Sequence, residues 1–217
     1  MAIHGKVQSE STFKPVSQGL HQAICAMVVD MGIQPGSDMY PKPKHKIYLG
    51  WDCLDEIVEW EKDGKRHSGP ARIGREFTLN LGDTSNLRPF LESWRGQNFT
   101  DEQAEAFDIG KLMGAACQIT VVHKQKRQGK GVRADVKTAV PWPKGMAKPA
   151  IPEAAVMYDL TNPDPKAYDS LPQWIREKID GRLADNELEM RDGKEIDAGD
   201  LDASSDHNGP YSDGLQF

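Results

Sequence analysis

Two short stretches of this chain concentrate cations. Lys42, Lys44, His45 and Lys46 form one, and Lys124, Lys126, Arg127, Lys130 and Arg133 form the other. Single-stranded nucleic acid needs two things from a protein: cations that follow its phosphates, and flat aromatic faces on which its bases stack. Tyr48 alternates with Lys44 and Lys46 in a strand-like segment, so the three share a face. Trp60 lies on the following strand-like segment, where it would stand beside Tyr48; Trp51 and Tyr40 are further aromatic candidates. Each stacked base contributes about 1–3 kcal/mol with little regard to sequence. Basic loops add the salt-dependent part. The candidate DNA-binding set is therefore Lys42, Lys44, Lys46, Tyr48, Trp60, Lys124, Lys126, Arg127, Lys130 and Arg133. Plainer roles compete with it. A charged hairpin tip is often just a solvated turn, a strand Trp is usually core, and edge lysines can guard a sheet.

A third charged stretch has the opposite sign. Glu195–Phe217 holds six acids and no Lys or Arg, so the 27 basic residues of the chain face 33 − 6 = 27 acids outside it. The body is neutral and the tail carries the whole net charge of −6. The tail has too little apolar surface to offset its ordering entropy, which predicts disorder. It offers a partner one aromatic anchor, Phe217, and it can compete with nucleic acid for a basic groove on its own body.

These residues need elements to place them. Gln22–Met31 reads as a strand with apolar residues on both faces. A turn-rich loop follows, then Lys44–Asp52, where Ile47, Leu49 and Trp51 alternate with the cationic face. Glu56–Lys62 reads as a third strand turning at Asp63–Gly64, and Arg72–Leu81 as an extension of the sheet. Leu87, Phe90, Leu91 and Trp94 then recur at helical spacing, with Pro89 confining the helix to a short one. Thr100 and Gln103 form a capping box that starts another, with Ala104, Phe107 and Leu112 as its apolar stripe. Cys117–Lys124 and Val132–Val140 alternate as two strands around the basic hairpin Gln125–Gly131. A last helix is expected at Pro172–Ile179, capped by Ser170 or Asp169, with Trp174, Ile175 and Ile179 on its apolar side.

Three strands, a helix and two strands is the order of an OB-fold. The expected fold is mainly β with α: a five-stranded Greek-key barrel with its helix between strands three and four, plus a C-terminal helix and the disordered tail. Such barrels bind oligonucleotides on the face of strands two and three, between the first and last hairpin loops. The expected organisation is an N-terminal arm at 1–20, the barrel at 21–145, a Pro-rich extension at 146–194 whose helix packs on the barrel or on a partner subunit, and the tail at 195–217.

Composition narrows the function classes. Mean hydropathy is −0.62, and no apolar run approaches the roughly 20 residues of a membrane span. The start lacks the pattern of a secretory signal. Three scattered cysteines, Cys25, Cys53 and Cys117, suit buried thiols in a reducing cytoplasm. No cofactor and no structural zinc site are expected. Gln128–Gly131 lacks P-loop spacing, and there is no Gly-x-Ser-x-Gly. Asp52, Asp55, Glu56, Glu59 and Glu61 suggest a divalent-metal nuclease only weakly, because no well-spaced lysine completes the pattern. A non-enzymatic role is expected.

The stretch Leu87–Asp108 (LRPFLESWRGQNFTDEQAEAFD), with GKLMGAACQITVVHK, PWPKGM and YDSLPQWIREKI after it, resembles proteins of bacteriophage replication and recombination modules. Over about Arg88–Ile179 the chain is similar to phage single-stranded DNA-binding proteins of OB-fold type. The resemblance implies single-stranded DNA and replication or recombination proteins as partners. It also implies a partner-binding tail tip that includes Asp206, Asp213 and Phe217. The last residues, Asp213-Gly214-Leu215-Gln216-Phe217, depart from the dense acidic run ending Pro-Phe of the bacterial pattern. A homodimer is compatible with this reading. The alternatives are a recombination accessory, annealing or scaffold protein whose OB-like domain binds protein, and the nuclease.

Overall fold

The computed structural model describes residues 14–37, 40–62, 64–126 and 131–184. They form β1 (Gly19–Gln34), β2 (Lys44–Lys62), β3 (Lys65–Thr78), α1 (Leu87–Arg95), α2 (Asp101–Glu105), a 3-10 turn (Ile109–Leu112), β4 (Ala116–Gln125), β5 (Val132–Pro141), β6 (Val156–Tyr158), α3 (Pro165–Ser170) and α4 (Gln173–Asp180). The protein is mainly β. Its six strands make one open sheet in the order β3-β2-β1-β4-β5, antiparallel throughout, with β6 added in parallel to β1.

β1 organises the molecule because its two halves have different neighbours. Gly19–Ile24 pairs with β4, and Met27–Val29 pairs with β6. A bulge between Cys25 and Met27 separates the halves. An extra residue in a strand switches which side chains face which way. Ala23, Cys25 and Val28 accordingly enter one apolar cluster, while Met27, Val29 and Met31 enter another. The apolar run on both faces of this segment thus has a cause: both faces are covered.

The main core lies under α1, whose Leu87, Phe90, Leu91 and Trp94 are all buried. Pro89 sits in the first turn, where its missing N–H breaks no helix bond. Phe90 meets Phe77 at 4.8 Å and Trp51 at 5.7 Å, so Trp51 is a core residue with no exposed surface. The ends of the sheet path are linked by a side chain: the Arg75 guanidinium donates to the carbonyls of Val136 (3.1 Å) and Lys137 (3.2 Å) on β5. The three thiols are buried, and burial pushes Cys25 up to about 12.

Three local expectations need correction. Lys44–Asp52 and Glu56–Lys62 are one strand, not two; no Gly or Pro separates them, and the irregularity between Cys53 and Ile57 is a three-residue bulge. Leu112 belongs to the 3-10 turn rather than to α2, although the Thr100–Gln103 capping box is present in full. α4 has Pro172 at its N-cap with no side-chain bond; Ser170 is instead the last residue of α3, where its hydroxyl donates to the Ala167 carbonyl.

Candidate nucleic-acid interface

Strand register decides where the cations and aromatics stand. Ala23 pairs with Cys53 on β2 and with Cys117 on β4. Both neighbours run antiparallel to β1, so beyond this row both head past its beginning. β1 stops at Gly19, opposite Val121, whereas β2 continues to Lys62 and β4 to Gln125. Two hairpins therefore leave the sheet at one end, on either side of β1. One is the β2–β3 arm, and the other is the basic β4–β5 hairpin.

The β4–β5 hairpin is closed by Lys126 N–H donating to the Gly131 carbonyl at 3.1 Å. Lys124 Nζ lies 2.8 Å from Asp135, and Arg133 Nη2 lies 3.7 Å from the same carboxylate. The Lys124 side chain is half exposed and that of Arg133 is tucked in. From Lys124 to Asp135 the chain has five cations and one acid, which leaves +4 at this tip. Arg127 and Lys130 contribute to that count but lie outside the described residues.

The β2–β3 arm carries Trp60, stacked on His67 with centroids 5.7 Å apart and planes 15° from parallel. Trp60 and Tyr48 were expected side by side, and the structure separates them. The three extra residues at Leu54–Glu56 reverse the strand's parity. Val58 packs against the main core, so Trp60, two residues on, shares that side, while Tyr48 faces the opposite cluster. The bulge is held by side chains. Ser17 donates from its backbone N–H (3.0 Å) and its hydroxyl (2.6 Å) to Glu56, and His21 contacts Asp55 at 3.2 Å and the Ser17 carbonyl at 2.8 Å.

Lys42, Lys44 and Lys46 stand at the other end of β1, where Gln34 pairs with Lys44. Lys42 is exposed, and Lys46 donates to Thr78 Oγ1 at 2.8 Å. An open groove over Tyr48 was expected between this cluster and the β4–β5 hairpin; that face is covered instead. The extension packs there, burying Met27, Val29, Met31 and Tyr48 under Leu171, Ile175 and Ile179. Trp174 meets Tyr48 edge-on at 5.1 Å. Tyr48 is 6 % exposed and offers no open face to a base. Burial pushes its phenol above the usual tyrosine range. α4 of the extension packs on the sheet of the same chain.

The acids at Asp52–Glu61 are divided among separate tasks. Asp52 forms a bidentate pair with Arg72 (2.6 and 3.0 Å), both side chains only 4 % exposed. Asp55 and Glu56 serve the bulge, while Glu59 and Glu61 lie on the face of the arm away from Trp60. Among the described residues, no three His, Cys, Asp or Glu side chains group as a metal site. Ser17 and His21 approach to 3.5 Å, but the Ser17 hydroxyl donates to Glu56, so they do not make a nucleophile–base pair. No described helix is long and apolar enough to cross a membrane.

The tail residues Asp206, Asp213 and Phe217 lie outside the described residues. The last described segment returns to the Lys42–Lys46 end, where Leu183 N–H donates to the Ile33 carbonyl at 2.8 Å. His67 and Lys65 were missed in the sequence; the signal was available in the Asp63-Gly64 turn, which sets Trp60 opposite His67 by counting outward. No protein-family model matches this chain, and no curated protein matches it.

Proposed function

We propose that the protein binds single-stranded DNA without strong sequence preference, as a non-enzymatic component of phage-type replication or recombination. Its sheet is read as an OB-like barrel. Support for that finer reading is the path β3-β2-β1-β4-β5, a helix between β3 and β4, and Arg75 spanning β3 and β5. One observation carries the functional reading: the two hairpins at one end of the sheet, one strongly cationic and the other aromatic. Cations near an aromatic pair on a projecting arm are the complement of a flexible strand with outward phosphates and unpaired bases. A duplex hides its base faces, so the same arrangement disfavours it.

Titration with oligo-dT at several salt concentrations tests this. The affinity should fall with log salt at a slope of about −0.7 per phosphate neutralised. Changing Lys124 and Lys126 to Gln should reduce the slope by about 0.7 for each lysine that meets a phosphate. Duplex bound as tightly as single strand would overturn the reading.

The tail enters as a competitor and a tether. Deleting Glu195–Phe217 should raise single-strand affinity at low salt and leave it unchanged at high salt, since screening removes the tail's competition first. Equal affinities at both salts would leave the tail only its tether role. Changing Phe217 alone should spare DNA binding and weaken capture of replication or recombination partners.

A further inference from the structure

We propose that the Trp60–His67 face of the β2–β3 arm is a base-stacking site for single-stranded DNA, with Lys65 placed to meet the adjoining phosphate. This deepens the function proposed above and rests on it. The arm pairs Val58 with Gly69 and Trp60 with His67 on one face, and Lys65, two residues before His67, continues that face toward the tip. Read from the core outward, that face passes from apolar to aromatic to cationic in steps of about 7 Å, two residues of strand each. The other face pairs Glu59 with Ser68 and Glu61 with Arg66, beside an exposed Ile57. The two acids therefore point away from where a phosphate backbone would run past Trp60.

The indole is set for stacking from below. A β-carbon at Gly69 would stand 3.2 Å from Trp60 Cη2, so the glycine leaves the ring room to lie against the strand. Across the strands the His67 imidazole stacks on the indole, its plane 15° from parallel. His67 is exposed and Trp60 half-buried. Together they make a stack of two near-parallel rings, attached to the core by Val58 and bordered by the exposed Lys65 at the tip. Stacking needs a π-face and no particular hydrogen-bond pattern, so such a stack takes any base.

The test compares oligo-dT with an abasic oligonucleotide of the same length, on the full chain. The two probes share phosphates and differ only in bases. Wild type should prefer oligo-dT. Trp60→Ala should weaken oligo-dT binding roughly fivefold to more than a hundredfold, the worth of one stacked base, and leave abasic binding unchanged. Trp60→Phe should keep most of the affinity while losing much of the fluorescence quenching. Gly69→Val, which crowds the indole without removing it, should reproduce part of the Trp60→Ala loss. Circular dichroism of each variant separates a lost site from a lost fold, and His67→Ala, at an exposed position, gives an independent readout. If wild type binds both probes equally, the stacking site is overturned while the phosphate-binding role stands. If wild type binds neither, the functional reading itself falls.

Discussion

Replacing Arg72 with methionine is expected to destabilise the protein by about 3–5 kcal/mol. Arg72 Nε and Nη2 hold both carboxylate oxygens of Asp52, and the two side chains are 4 % exposed each. Breaking a buried pair strands the remaining charge, and that cost exceeds what the intact pair contributes. Arg72 also donates to the Ala154 carbonyl at 3.4 Å, so the variant loosens the start of the extension as well. Urea denaturation should show a lower midpoint with an unchanged slope. Coupling Arg72→Met with Asp52→Leu should recover much of the loss, because no unpaired charge is left behind. A loss under about 1 kcal/mol in the single variant would mean that water reaches the pair.

Tyr48→Ala should cost about 3–5 kcal/mol, the range for deleting a buried aromatic ring. Tyr48 packs against Trp174 from the extension, and its hydroxyl fills the space left by Gly74, where a β-carbon would come within 2.1 Å of it. The ring thus joins β2, β3 and α4 at one point. The measurement has two parts: denaturation for stability, and oligo-dT affinity at a temperature where the variant is folded. Stability should fall steeply and affinity should stay near wild type. Lost affinity with intact stability would mean that the extension leaves this face to admit DNA. Trp60→Ala should behave in the opposite way, since its ring stands on an arm rather than in a core.

Tyr48 and Trp60 mark the limit of what local alternation determines. Both residues carry even numbers in strand-like sequence, so simple alternation puts them on one face. The bulge after Cys53 adds three residues to β2 alone and reverses the alternation. Nothing local announces it; it depends on Ser17 and His21, more than thirty residues away, reaching Asp55 and Glu56. The same dependence hides the cover over Tyr48. β6 is three residues long and α3 six, too short for any periodicity to reveal, and they are held by β1 and α4 rather than by their own propensities.

What the chain announces locally is substantial. The alternation of β4 and β5, the helical spacing of Leu87, Phe90, Leu91 and Trp94, the Thr100 capping box and the doubly apolar β1 all follow from short-range pattern, because each element's buried face must repeat at its own period. The segregation of charge into two basic runs and an acidic tail is also a property of sequence alone. Only the tertiary structure decides which of those groups meet. Pairing register puts the Trp60 arm and the Lys124–Arg133 hairpin at one end of β1 and Lys42–Lys46 at the other, and packing of α4 removes Tyr48 from the surface. Register and burial are long-range quantities, settled by which apolar faces find each other, and no window of sequence contains both partners.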